Sequence, residues 1–235
     1  MSKMFSPYSK SAQFLSRIWD LLVLNFLFIL GSLPIITFGV SAIATYTVAL
    51  KVVEDTDESI IRAYFKAYKA NLSQGIILTI AYIIGIGAVA LDFLLFDIVD
   101  GNPIGFLILG IVSAFFVYVH FFYVWALAAR YENTVYLLLT NSRRIFIRYF
   151  LRSLSSTVLI AFIIWLFFLN QWVLLFIGVF LAPILIISIK SAFAIKLFRK
   201  IEADNLENGN DELTPEDKLP REKDDEQEDD GEEYL

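Results

Sequence analysis

The sequence predicts an all-α, polytopic membrane protein, and three observations carry that expectation. No Asp, Glu, Lys or Arg occurs between Asp20 and Lys51, through Pro103 to Ala129, or between Arg152 and Lys190, and each stretch is overwhelmingly apolar. A bilayer core is crossed by about 20 apolar residues of helix, so the first and last of these stretches must fold back or break. Hydrophobic residues make up 57% of the chain and aromatics 16%. Lipid offers no partner to a bare backbone, so such runs must be helical, and the alternation of a membrane barrel is absent. Finally, the net charge of −6 conceals a partition. The segment 201–235 holds 16 of the 25 acids and only three bases, leaving a body of 16 bases and 9 acids, net +7. A body so charged suits contact with anionic lipid on the cytoplasmic side.

Three regions follow: a cytoplasmic N-terminal segment (1–17), a helical membrane domain (18–200) and a disordered acidic tail (201–235). The first helix spans about 18–33 and is interrupted at Pro34, whose ring and missing N–H disfavour continuation. Lys3, Lys10 and Arg17 followed by an apolar run imitate a secretory leader, with Ala42-Ile43-Ala44 as a cleavage-like site. The run is longer than the roughly 7 to 15 residues of a leader core, so a retained helix is expected. Further segments are expected at 36–53, 75–96, 103–129, 154–169 and 172–193, five to six crossings in all. Turns are expected at Asp97 to Asn102 and at Asn170-Gln171.

Orientation follows from the bases. The stretches 51–74, 130–152 and 190–200 hold four, five and four of them, and the two turns hold none. The former should be cytoplasmic and the turns external. If 18–53 crosses once, the N-terminal bases face outward against this rule. A hairpin around Pro34 places both termini inside and is favoured, although its arms are short.

Two cytoplasmic segments read as amphipathic helices in the headgroup layer. In the first, Ile61, Tyr64, Phe65, Tyr68 and Leu72 recur at helical spacing, with Arg62, Lys66 and Lys69 elsewhere on the wheel. In the second, Arg144, Arg148 and Arg152 form a stripe roughly opposite Ile145, Phe146, Tyr149 and Phe150. These six bases are the expected lipid-headgroup contacts. The tail from Asp204 is polar and acidic, the composition of a disordered extension.

Chemistry-bearing residues are few. The chain has no cysteine, which removes disulfides and thiolate chemistry. His120, its single histidine, sits within an apolar helix, where an ionisable side chain is a candidate site. One helix-to-helix hydrogen bond would equally satisfy a neutral imidazole, and no second histidine exists for a relay or metal site. Asp20 and Asp92 lie near helix ends, Lys190 can snorkel toward the bases at 196–200, and Asn25 is deep enough to seek a partner across the bundle. Phosphate-loop, paired-histidine zinc and nucleophile-elbow motifs are missing. No catalytic residue, metal or cofactor is therefore expected. The small residues Ala81, Gly85 and Gly87 allow close helix contact but are common in any bundle.

Asn25, the run Leu33-Pro34-Ile35-Ile36-Thr37-Phe38-Gly39 and the small and aromatic positions Ser41, Ala42, Ala44 and Tyr46 together resemble the YesL-like family of bacterial integral membrane proteins (domain of unknown function family DUF624). Tyr64-Phe65-Lys66-Ala67-Tyr68-Lys69-Ala70-Asn71, Ala128-Ala129-Arg130-Tyr131 and Asn141 are similar to its two cytoplasmic segments. Where a Gly-Pro pair is expected after the threonine, this chain has Gly39-Val40-Ser41.

The resemblance implies a bacterial cytoplasmic-membrane protein, and similarity in gene context implies an accessory role in carbohydrate uptake in a Gram-positive bacterium. Sugar transporter or sensor components would be its partners; nucleic acid would not. The alternative is a small secondary carrier with a site near the broken helix at Pro34 and His120. Candidate binding residues on either reading are Asn25, Pro34, Thr37, Gly39, Asp92, His120 and Lys190.

Overall fold

The computed structural model describes residues 10–53, 59–99, 104–169 and 172–208, and among them there is no strand. The helices are α1 (Lys10–Ser32), α2 (Phe38–Val53), α3 (Ile60–Ala70), α4 (Leu72–Ile98), α5 (Ile104–Phe121), α6 (Val124–Arg130), α7 (Val135–Arg148), α8 (Phe150–Ile164) and α9 (Trp172–Asn208). A short 3-10 turn, Ile35–Thr37, joins α1 to α2, and a π-helical turn, Trp165–Leu169, follows α8. The Asn170-Gln171 turn and residues 100–102 of the other expected turn lie outside the described residues.

The chain reverses at Pro34. Ser41 Oγ lies 2.8 Å from the Phe28 carbonyl. In one straight helix residues 28 and 41 would be about 20 Å apart, so α1 and α2 form a helical hairpin rather than one rod. Thr37 consolidates the turn: its hydroxyl lies 2.8 Å from both the Gly31 and the Pro34 carbonyls, and its N–H also donates to the Pro34 carbonyl at 2.8 Å.

Around this hairpin the apolar stretches divide into two kinds. Five helices are long and apolar enough to cross a membrane, over Ile35–Val52, Leu72–Ile98, Ile104–Arg130, Phe150–Phe167 and Phe180–Ala203. The first is 61% buried within the protein, whereas the second and third are each 11% buried. α2 is thus the central helix, rich in small residues (Gly39, Ser41, Ala42, Ala44, Thr45, Ala49) that permit close packing where lipid gives no hydrophobic drive. On α4 and α5, Ile84, Leu91, Leu94, Ile108, Ile111, Val112 and Phe115 point outward. In water so large an apolar surface would be a liability; in hydrocarbon it is matched. The protein is a multi-pass membrane protein.

The backbones of α2 and α4 approach closely. A Cβ added to Gly39 would stand 2.6 Å from the Gly75 carbonyl oxygen, and one added to Gly75 would stand 2.6 Å from Val40 Cα. Thr79 completes the contact, accepting from the Gly39 N–H at 2.8 Å and donating to the Gly75 carbonyl at 2.7 Å.

Three sequence expectations are altered. The helix expected over 103–129 is broken between Phe121 and Val124, because Ser142 of α7 inserts into its hydrogen-bond ladder. Its Oγ accepts from the Tyr123 N–H (3.0 Å) and lies 3.4 Å from the Val119 carbonyl, the two groups that an unbroken turn would pair. The amphipathic segments bury part of their apolar faces in protein. Ile145 and Phe146 of α7 and Tyr64 of α3 belong to the core, while Ile61 and Phe65 remain exposed. The tail expected to be disordered from residue 201 begins as helix, since α9 continues to Asn208. Ile201 is buried, and Glu202 Oε1 accepts from Arg130 Nε (2.9 Å) and from the Tyr131 hydroxyl (2.5 Å). Residues 209–235 lie outside the described residues.

Candidate functional site

Each candidate binding residue has a definite place, and most have a structural partner. Pro34 forms the hairpin break, Thr37 covers its carbonyls, and Gly39 admits α4 as described. Asn25 Nδ2 donates to the Phe180 carbonyl of α9, tying the first helix to the last, while its Oδ1 is buried without a partner. Asp92 accepts a 2.8 Å hydrogen bond from the Ser113 hydroxyl and so joins α4 to α5. His120 is satisfied within its own helix. Its Nδ1 lies 2.8 Å from the Phe116 carbonyl, which requires the proton on Nδ1, and its ring packs 4.0 Å from that of Phe116.

Lys190 differs from all of these. It lies within the apolar stretch Phe180–Ala203, half-buried, and its Nζ stands 4.4 Å from the centroid of the Phe122 ring. The side chain does not reach the bases further along α9; it borders a cavity of about 320 Å³ between α4, α5, α6 and α9. Aromatic rings of Tyr82, Tyr118, Phe121, Phe122 and Trp125 form most of one wall. Ile86, Val89, Ala114 and Val117 form the aliphatic remainder.

The Pro34 turn supports this cavity from behind. Phe38, directly after the turn, stacks on Tyr82 with ring centroids 6.2 Å apart and meets Trp125 edge to face at 5.8 Å. Trp125 and Tyr82 also meet edge to face, at 6.0 Å. The Leu33 to Gly39 segment thus holds two cavity rings in place without lining the cavity itself. Neither Pro34 nor His120 borders it, nor do Asn25, Thr37, Gly39 or Asp92.

Ser142 acts on the same aromatic wall, through Phe122. The break that it makes releases Phe122 from the regular α5 spiral and sets its ring beneath Lys190. Tyr123, the next residue, is fully turned inward, with its hydroxyl 3.0 Å from Ser153 Oγ. Sequence reasoning singled out Lys190 and missed Ser142, Tyr82, Phe122 and Trp125. Serine and aromatic residues are ordinary within apolar spans, so nothing local marks these.

The arrangement offers the elements of a binding site. A lysine ammonium, π faces and aliphatic surface supply charge attraction and stacking. Among the described residues, no group of three or more His, Asp or Glu side chains is placed to hold a metal ion.

No curated protein and no solved structure matches the chain. Residues 21–93, from α1 through most of α4, match the model of the family described as "Protein of unknown function, DUF624", the family that the Asn25 and Leu33 to Gly39 segments resemble.

Proposed function

We propose that the protein is a non-catalytic accessory component of carbohydrate uptake in the cytoplasmic membrane of a Gram-positive bacterium. The match to the DUF624 model over residues 21–93 supports the family part of this reading; the carbohydrate-uptake part is what the resemblance to the YesL-like family implies. The geometry accords with an assembly role. The segments that match are those that build the hairpin, the α2–α4 contact and the α3 platform, all of which are packing devices. α3 is pinned inward through Tyr64, whose hydroxyl is 2.8 Å from Ser41 Oγ and 2.9 Å from the Leu27 carbonyl.

On the opposite face of α3, Arg62, Lys66 and Lys69 are exposed beside Ile61 and Phe65, and Arg144, Arg148 and Arg152 are exposed on α7 and α8. These bases contact lipid headgroups on the cytoplasmic side, where the C-terminus also lies, and flank the surface offered to a transporter or sensor partner.

Purification of the tagged full chain from native membranes in mild detergent, followed by mass spectrometry, tests the proposal. Co-recovery of a sugar permease, its ATPase or a sensor kinase is expected. Recovery of the protein alone, under conditions that keep known membrane complexes intact, would contradict it.

A further inference from the structure

Among the described residues, Lys190 carries the plainest unmet demand. It has no carboxylate partner there: Asp92 accepts from Ser113, Glu202 from Arg130 and Tyr131, and neither acid borders the cavity. The Phe122 ring face offsets part of the desolvation of the ammonium, but a cation half-buried among apolar side chains is costly until an opposite charge or water reaches it. The cavity beside it has room for more than water, about 320 Å³.

The walls limit what would enter. Beyond Lys190 they carry no charged side chain: Tyr82 and Tyr118 add phenol hydroxyls, the latter 2.6 Å from Thr157 Oγ1, and the remainder is ring and aliphatic surface, poorly suited to a second charge. An occupant that satisfies every surface has one acidic group and an apolar body. We infer that the Lys190 cavity binds an amphipathic anion, a carboxylate or phosphate on an apolar chain, with the acid on Nζ and the chain along Ile86 and Val117 between α4 and α5. The acid comes either from a free amphiphile or from the headgroup of an anionic phospholipid. This site stands independently of the sugar-uptake reading.

Trp125 borders the cavity and serves as a reporter once Trp19, Trp165 and Trp172 are replaced by Phe in the full chain. Terminally brominated undecanoate, a short-range quencher, is titrated into the protein in detergent beside its uncharged methyl ester. In a second arm the protein is placed in nanodiscs containing brominated phosphatidylglycerol or brominated phosphatidylcholine. Saturable quenching by the acid and not the ester identifies a free amphiphile. Quenching confined to phosphatidylglycerol identifies the lipid headgroup.

In whichever arm responds, Lys190→Gln weakens the response at least about tenfold and Lys190→Arg preserves it, as expected for loss or retention of one charge-assisted contact. Equal quenching by acid and ester together with equal quenching by both lipids overturns the inference, and so does an unchanged response in Lys190→Gln. Should Lys190→Gln fail to fold, the acid-against-ester and lipid comparisons on the Lys190 protein decide alone.

Discussion

At the scale of single residues, Tyr64 and Gly39 make opposite demands on their surroundings. Two hydroxyl protons, from Tyr64 and Ser41, are shared among their mutual contact and the carbonyls of Leu27 and Phe28. Tyr64→Phe removes one donor and leaves a buried carbonyl short, and should lower stability by about 1–2 kcal/mol in thermal unfolding of the detergent-solubilised protein. Burial, only partly countered by the Ser41 hydrogen bond, pushes the Tyr64 phenol from 10.0 up to about 12. The folded chain therefore holds this proton more tightly than the unfolded chain. Stability is unaffected by this group below about pH 10 and falls as pH rises from there through about 12. Subtracting the Tyr64→Phe profile from that of the parent should isolate this alkaline loss; identical profiles would contradict it. Gly39 needs the absence of a side chain. Its missing Cβ is replaced by the Gly75 carbonyl and Trp125, so Gly39→Ala should separate α2 from α4 at a cost of about 1–3 kcal/mol. The same substitution at Gly87, where a Cβ meets nothing, should be near neutral.

At the scale of elements, the apolar runs and their ends were legible because a membrane helix is recorded in a long, local signal. The pause at Pro34 was legible because proline acts on its own backbone. The break between α5 and α6 was not, since its cause is a serine 19 residues away in the chain. Ser142→Ala should restore a continuous ladder or leave the Tyr123 N–H unpaired, and either result moves Phe122. A shift in Trp125 emission with a stability loss of about 1–2 kcal/mol is expected, and unchanged emission would show that Ser142 does not set the cavity wall. The helical start of the acidic segment was hidden for a similar reason. Composition reads Glu202 as one of many solvated acids, whereas the fold places it against the two nitrogens of Arg130 at 2.9 and 3.2 Å. With side chains 14% and 37% exposed, solvent screens this pair. A double-mutant cycle with Arg130→Ala and Glu202→Ala should give a coupling of about 1 kcal/mol, and a coupling near zero would show that this pair does not help to hold the C-terminal part of α9.

At the scale of the whole molecule, hydrophobicity has two meanings that a sequence window does not separate. α2 is apolar because protein surrounds it; α4 and α5 are apolar because lipid does. The periodic bases on α3 and α7 were legible, but not that Tyr64, Ile145 and Phe146 would pack into protein, since a helix on a bilayer and a helix on a bundle need the same pattern. The candidate site shows the same limit. Lys190 stood out as a charge in an apolar run, whereas its aromatic cavity depends on four helices meeting.

The organisation of the body is tested most directly by topology, and the cysteine-free chain provides a clean background for it. Single cysteines placed at Lys10, Ser59, Asp97 and Arg144 would be exposed to a membrane-impermeant maleimide in intact cells and again after permeabilisation. Labelling of Asp97→Cys from outside, with Lys10→Cys, Ser59→Cys and Arg144→Cys labelled only after permeabilisation, is the result expected of a hairpin at Pro34 and basic segments in the cytoplasm. External labelling at Lys10, Ser59 or Arg144 would contradict that organisation.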